Sequence, residues 1–221
     1  MRRFPYSLFA LVLVALAPGH AAAGAQQFLN PNFATLTATH KTIAILPFDV
    51  TIDTKRLKNV SLDVIRENEK DEGLQFQKQL YIRLLQKSQT DGYKISFQDV
   101  DQTIVLLQKA GIPLDSLSFH GKDEIAKALG VDAVLSGSVN QSQPTSGGMA
   151  LAQSLLIGMH GSTQRVDITV AIHNGADAAL LWNYDHTDSG GGFTGSMANA
   201  VEAMVKSLLK KVAGNFPYRK G

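Results

Sequence analysis

The stretch TIAILPFDV, residues Thr42 to Val50, is apolar at successive positions and rich in β-branched side chains. Because successive side chains of a strand point to opposite sides, a run of this kind predicts a strand that is buried on both faces. We expect Pro47 near its C-terminal end, since proline has no N–H to donate inside a sheet. The stretch therefore predicts a central, buried strand.

A second stretch, VDAVLSGSV from Val131 to Val139, has the same apolar character. It follows KDEIAKALG, Lys122 to Gly130, which predicts a short helix that ends at Gly130. Gly137 lies within this strand and indicates a close backbone approach at that point. A helix that runs directly into a buried strand is typical of an α/β fold.

Helical periodicity predicts a longer helix between these two strands. Its apolar positions are three, four and seven residues apart: Leu74, Tyr81, Leu84 and Leu85. We expect its first turns, Glu67 to Glu72, to be solvated. A strand from Tyr93 to Phe97 and a helix from Asp99 that ends at Gly111 complete the first half of the chain.

The second half of the chain predicts a β-hairpin and a C-terminal helix. RVDITVAIH, Arg165 to His173, alternates apolar and polar residues, and Asn174-Gly175 opens a turn into the partner strand ALLWNYDH. The last helix, from about Ser196 to Val212, has one apolar stripe and lysines near its C-terminal end. The chain is therefore assigned to the α/β class.

The N-terminus predicts a secretory signal. Arg2 and Arg3 precede an uncharged apolar run from Leu8 to Ala17, and Ala23-Gly24-Ala25 provides a cleavage site. The apolar run has about half of the roughly 20 residues that a membrane-spanning helix needs. We expect residues 1–25 to be removed on export to the periplasm, and residues 26–221 to form a single α/β domain.

Charge and cysteine content exclude several classes of function. The signal contains two of the 21 basic residues and none of the 19 acidic ones, so the mature chain is formally neutral. A neutral chain lacks the positive field that nucleic-acid binding requires. The absence of cysteine excludes disulfides, thiolate metal sites, a cysteine nucleophile and a lipidated N-terminal cysteine.

The stretch SGGGFTGS places Gly190, Gly192 and Gly195 on the spacing G-x-G-x-x-G. A dinucleotide site needs a β-α-β unit with an acidic residue about 20 positions further on, and the sequence after the last helix provides neither a second strand nor such a residue. We interpret the glycines as a turn into a helix capped by Thr194 or Ser196. Binding of a small anionic ligand at this helix N-terminus remains an alternative.

The sequence DHTD brings His186 together with Asp185 and Asp188. Neighbouring residues of a strand point to opposite faces, and the predicted hairpin register keeps His173 away from His186. The other histidines show no metal-ligand spacing. We therefore assign no catalytic residue, no metal ligand and no cofactor, and a hydrolase that uses the His186 region remains an alternative.

The stretch GGMALAQSLLIGMHG, Gly147 to Gly161, is apolar and is bounded by glycines. It is too short for a membrane-spanning helix and lacks the two alternating strands of a membrane hairpin, although it leaves open a peripheral membrane contact. It either packs on its own domain or offers an apolar surface to a partner. We predict partner binding through its large apolar side chains: Met149, Leu151, Leu155, Leu156, Ile157 and Met159.

Two segments carry a resemblance to a known family: HKTIAILPFDV, His40 to Val50, and IAKALGVDAVLSGSV, Ile125 to Val139. Together with LLWNYDH they resemble the periplasmic α/β domain that is shared by the curli-secretion protein CsgG, the penicillin-binding-protein activator lipoprotein LpoB and the N-terminal domain of TolB. The matching features are the Pro47-Phe48 pair, the Leu129 to Asp132 turn and the strand that follows it.

The resemblance implies an anticodon-binding-like fold, a mixed sheet with helices packed on its faces. It further implies a non-enzymatic periplasmic adaptor or accessory protein of a cell-envelope assembly, secretion or wall-synthesis machine. The implied partners are other envelope proteins, and a homo-oligomer is left open. The chain departs from the lipoprotein branches because it has no cysteine, and from the channel-forming branch because Gly147 to Gly161 does not resemble a membrane hairpin.

Overall fold

The structure is a computed structural model, which describes residues 25–53, 60–141, 164–190 and 197–219. Its strands are β1 Gln26–Leu29, β2 Thr42–Ile45, β3 Asp49–Ile52, β4 Ser96–Phe97, β5 Ala133–Gln141, β6 Gln164–Asn174 and β7 Leu180–Gly190. Its helices are α1 Phe33–Leu36, α2 Leu62–Asp91, α3 Val100–Lys109, α4 Lys122–Leu129 and α5 Met197–Gly214. A short 3-10 turn, Leu114–Ser116, lies between α3 and α4.

These strands form one mixed sheet in the order β1-β7-β6-β5-β2-β4, and β3 also pairs with β5. The pairs β2–β4, β2–β5 and β3–β5 are parallel, whereas β5–β6, β6–β7 and β1–β7 are antiparallel. The predicted α/β class with a mixed sheet is therefore confirmed. The predicted hairpin is also confirmed, since β6 and β7 pair along most of their lengths.

The predicted single strand from Thr42 to Val50 is wrong in one respect, because it is two strands. β2 pairs with the first residues of β5, and β3 pairs with the last residues of β5. Pro47 lies in the gap between them, close to the predicted strand end. There the chain turns from the sheet towards α2, where Phe48 N–H donates to the Gly73 carbonyl at 3.1 Å.

Two helical layers cover different parts of the sheet. On one face α2 and α5 enclose a core that includes Ile43, Ile45, Leu80, Leu135, Trp182 and Leu208. On the other face α3 and α4 enclose a second core that includes Ala44, Leu46, Leu107, Ile125, Leu129 and Val134. Burial of strand residues in both cores explains why β2 and the start of β5 are apolar at successive positions.

The buried face of α2 includes polar residues and differs from the face that the sequence predicted. Of the four predicted apolar positions only Leu84 is fully buried, whereas Leu85 is exposed. Glu72, which we expected to be solvated, is fully buried and accepts a hydrogen bond from Gln141. Gln77 donates to the Ile45 carbonyl at 2.7 Å. Hydrogen bonding to the sheet makes burial of these polar groups tolerable.

The predicted strand from Tyr93 to Phe97 is shorter than expected, because only Ser96 and Phe97 pair with β2. Tyr93 instead forms an isolated bridge with Arg219, and Lys94 N–H donates to the Tyr218 carbonyl at 3.3 Å. The C-terminal tail thus takes the hydrogen bonds that would otherwise extend the strand.

The turn between α4 and β5 explains the Leu-Gly-Val-Asp motif. Gly130 has a left-handed backbone, with φ of 67°, and ends α4 as predicted. The Asp132 carboxylate accepts hydrogen bonds from the backbone N–H groups of Lys41 and Thr42, at 2.7 and 2.9 Å. This contact ties the turn to the beginning of β2.

Candidate functional site

The DHTD cluster does not converge on one point. His186 Nε2 accepts a hydrogen bond from Lys211 Nζ at 2.8 Å, and its ring stacks on Tyr184. Asp185 instead accepts a hydrogen bond from Asn183. Burial and the positive charge of Lys211 lower the pKa of His186. The Asp188 carboxylate has the opposite but smaller effect. The Nε2 atom is therefore in contact with Lys211, and the lowered pKa favours the neutral imidazole.

The two strand histidines lie far apart along the hairpin, as the sequence predicted. His173 is opposite Leu180, and His186 is opposite Ile168. Within the ranges that the structure describes, no group of three or more potential metal ligands occurs. The same part of the chain contains no helix that is long and apolar enough to cross a membrane.

Two of the predicted sites cannot be located in the fold. The predicted partner-binding side chains Met149, Leu151, Leu155, Leu156, Ile157 and Met159 lie outside the described residues. Of the stretch SGGGFTGS, only Ser189 and Gly190 at the end of β7 are described. The glycine turn as a ligand site therefore stays a prediction.

Part of the sheet presents a polar face that we call the open face. Its side chains come from β5, β6 and β7 and point away from the core under α2 and α5: Ser136, Ser138, Asn140, Asp167, Thr169, Asn183, Asp185 and Thr187. None of them is fully buried. An antiparallel sheet often has one packed and one solvated face, and the open face has this pattern.

Several side chains of the open face are held by one another. Arg165 Nε donates to both carboxylate oxygens of Asp167, at 3.0 and 2.9 Å, and Thr187 Oγ1 donates to the same carboxylate at 2.6 Å. Burial alone would raise the pKa of Asp167, but these hydrogen bonds and the Arg165 charge lower it overall. The face is therefore ordered by cross-strand contacts.

A groove of about 610 Å³ lies between α2 and the Leu114–Ser118 segment, beyond the C-terminal end of β2; we call it the α2 groove. Its apolar lining includes Pro47, Phe48, Leu74, Leu114 and Leu117. Its charged lining consists of Asp49, Arg66, Glu67, Glu69, Lys70 and Asp115. The volume is in the range of ligand-binding pockets, and ligands of α/β proteins commonly bind beyond the carboxyl ends of strands.

The α2 groove continues on both sides of the Leu114–Ser118 segment. A cavity of about 180 Å³ shares Asp49 and Leu117 with it and reaches Ser138 and Thr169 on the open face. A cavity of about 470 Å³ shares Lys70 with it and extends past the C-terminal end of α3. The combined depression extends from the C-terminal end of α3 to the open face.

Lys122 lies where the α2 groove meets the open face. Its Nζ donates to the Leu117 carbonyl at 3.0 Å. Burial lowers the pKa of Lys122, although the Asp49 carboxylate opposes this effect. Next to this junction Phe119 is 87% exposed, the largest exposed fraction among the large apolar side chains of the described residues. Exposed aromatic side chains are frequent anchors in protein interfaces.

Sequence reasoning did not identify the α2 groove. Its walls come from the end of β2, the first half of α2 and the segment after α3, which are distant in the sequence. Pro47 was the available signal, since a proline that ends a buried parallel strand marks the edge where such grooves form.

Neither a protein-family model nor a curated protein sequence matches this chain. Among solved structures it is similar to the PelC dodecamer from Paraburkholderia phytofirmans, with 15% identity and a TM-score of 0.47 over 89% of this chain and 99% of that chain. Lipoprotein GNA1162 from Neisseria meningitidis matches with 10% identity and a TM-score of 0.38, over 80% of this chain and 99% of that one.

The structure of LpoB from E. coli matches with 10% identity and a TM-score of 0.39, over 86% of this chain and 82% of that chain. LpoB is one of the proteins in the resemblance drawn from the sequence. Identities and TM-scores at this level transfer no function from these proteins to the chain.

Proposed function

We propose that the mature chain is a non-enzymatic accessory or adaptor protein of a cell-envelope assembly, secretion or wall-synthesis machine in the periplasm. It acts by binding another envelope protein. The observation that carries this proposal is the α2 groove, which is lined by apolar and charged side chains and is continuous with an ordered polar sheet face. The sequence features of a cleaved signal support export.

The geometry around His186 favours binding over catalysis. An enzyme of the hydrolase class would need this imidazole to be free to exchange a proton with a nucleophile or a water molecule. His186 Nε2 is instead occupied by Lys211. His186→Ala is therefore expected to retain biological activity, and a complete loss of activity with an unchanged fold would favour the hydrolase.

Photo-crosslinking in the envelope tests the proposed function. A photoreactive residue placed at Thr169 on the open face or at Asp115 in the α2 groove is expected to give an adduct with a second protein. The matched control carries the photoreactive residue in place of Asp101, which is exposed on α3 and does not line the groove. The absence of an adduct at Thr169 and Asp115, or equal adducts at all three positions, would contradict the proposal.

The segment Gly147 to Gly161 is proposed as a second partner-contacting region. Six large apolar side chains between glycines are unusual for a solvated loop, and methionine-rich surfaces adapt readily to partners. Hydrogen exchange at Leu151 to Ile157 is expected to be fast in the isolated protein and slower in the complex. Strong protection that a captured partner leaves unchanged would instead indicate packing on its own domain.

Paired substitutions separate these two alternatives further. Replacement of Leu155 and Leu156 by serine is expected to weaken partner capture while the melting temperature falls little. If both side chains belong to a core, stability should decrease first, by about 2–5 kcal/mol for each large apolar side chain that is lost.

A further inference from the structure

We infer that the α2 groove holds an extended segment of the partner protein that combines apolar with basic side chains. This inference rests on the proposed function and specifies its partner. The first reason is shape. The groove continues around the Leu114–Ser118 segment in both directions, from the end of α3 to the open face. A depression that continues through three adjoining cavities fits an extended polypeptide better than a compact small molecule.

The apolar part of the lining gives the second reason. Leu74 and Leu114 are only partly buried, although both are large apolar side chains of the groove. Phe119 projects into solvent next to the groove residue Ser118. An apolar side chain of a partner would cover surface that is otherwise in contact with water, which favours binding.

The third reason is the charge of the two walls. Glu67 on α2 and Asp115 on the facing wall form no ion pair or side-chain hydrogen bond in the described part of the chain. The lining as a whole has four carboxylates against two cationic side chains, so its charge favours a basic partner segment.

Three of the other charged groups of the lining interact with neighbouring charged or polar groups. Asp49 faces the Lys122 ammonium, and Glu69 Oε1 accepts a hydrogen bond from Ile52 N–H at 2.9 Å. Arg66 lies 3.9 Å from the Asp63 carboxylate. Lys70 lines the groove and, together with Asp115, its extension beside α3, so its ammonium offsets part of the negative charge there.

Peptide binding to the full mature chain tests the inference. The probes are two short capped peptides, one of alternating leucine and lysine and one of alternating leucine and glutamate, each with a fluorescent label. Fluorescence anisotropy is expected to show binding of the leucine–lysine peptide and much weaker binding of the leucine–glutamate peptide. Equal binding of both peptides, or no binding of the leucine–lysine peptide, would overturn the inference.

A matched pair of double variants locates the binding site. Glu67→Gln with Asp115→Asn is expected to weaken binding of the leucine–lysine peptide roughly tenfold, because it removes two of the four carboxylates that line the groove. Asp71→Asn with Asp101→Asn removes the same charge from exposed positions on α2 and α3 outside the groove. It should leave the affinity unchanged, and equal weakening by both pairs would show attraction to net charge alone.

The crosslinking experiment distinguishes failure of the inference from failure of the proposed function. If Thr169 and Asp115 give partner adducts while the leucine–lysine peptide does not bind, the proposed function stands and the inference is wrong. If the peptide binds in the groove and no envelope protein is crosslinked, the proposed function is wrong. An adduct at Asp115 that joins two parts of the same chain would also overturn the inference. The groove would then hold another segment of this chain and not a segment of the partner.

Discussion

The ring of Phe48 lies against the backbone of Gly137, so that a Cβ atom at residue 137 would be only 2.6 Å from Phe48 Cδ1. The same ring packs edge-to-face on Phe76 of α2, with 6.3 Å between the ring centroids. The backbone of Phe48 is held by Gly73 on that helix. Phe48 therefore connects β5 with α2, and it also belongs to the lining of the α2 groove.

Gly137→Ala is expected to destabilise the protein by about 1–3 kcal/mol, because the new methyl group would overlap the Phe48 ring. Denaturant unfolding measures the change. Ser136→Ala, at the neighbouring partly exposed position of β5, is the control and should have little effect. If the overlap is the cause, Phe48→Leu should reduce the additional cost of Gly137→Ala, and independent effects of the two substitutions would contradict the contact.

Gly73→Ala tests the contact that Phe48 makes with helix α2. Inside a helix, alanine is ordinarily more stable than glycine by roughly 1 kcal/mol. A Cβ atom at residue 73 would, however, collide with the Phe48 carbonyl oxygen, which belongs to the backbone and cannot rotate away. We expect the substitution to lower the melting temperature. An increase in melting temperature would show that α2 does not approach Phe48 this closely.

Ile45→Asp and Val134→Asp should each prevent folding. Both residues are fully buried, and they lie in the paired strands β2 and β5 as the sequence predicted. They contribute to different cores, on opposite faces of the sheet. An unpaired charge in either core costs several kcal/mol. Circular dichroism and thermal unfolding measure the loss, and a soluble variant with an unchanged melting temperature would refute the strand assignment.

Stability is expected to fall as the pH is lowered from about 7.5 to about 5. Burial, together with the nearby Lys122 and Lys211, lowers the pKa values of His173 and His186 respectively. The unfolded chain therefore binds more protons than the folded chain in this range. The stability that comes from keeping these two histidines neutral is complete above about pH 6.5, the ordinary pKa of histidine in the unfolded chain. It is lost as the pH falls through the lower pKa values of the folded protein.

The double variant His173→Gln with His186→Gln provides the control for this pH dependence. Its melting temperature should change less than that of the wild type between the two pH values. An identical change in both proteins would show that other groups are responsible. Asp132 and Asp167 also have lowered pKa values, but they lose their contribution only below about pH 4.

Features that depend on local sequence were predictable. Gly130 ends α4 because a left-handed backbone is favourable for glycine, and Asn174-Gly175 begins the turn between β6 and β7. The bounds of α5, Met197–Gly214, agree with its predicted range within two residues. Each of these signals acts between residues that are close in the sequence, so they can be interpreted without a fold.

Features that depend on distant partners were not predictable. Glu72 and Gln77 have the composition of a solvated helix surface, but Gln141 and the Ile45 carbonyl give them buried hydrogen-bond partners. The aromatic tail after α5 was also missed: Phe216 and Tyr218 return to the core, where they stack on each other and contact Trp182, Tyr93 and Phe33. Nothing near these residues in the sequence indicates their partners.

The sequence by itself determined the α/β class, the buried strand positions and the close approach at Gly137, because periodicity and backbone freedom are local properties. Only the tertiary structure decided that the approach at Gly137 is made by the Phe48 ring, and that the strand divides at Pro47. It also created the α2 groove, because α2 and the Leu114–Ser118 segment meet only after both helical layers have packed on the sheet. A binding surface of this kind has no local signature, since its walls are brought together by burial of side chains that lie elsewhere.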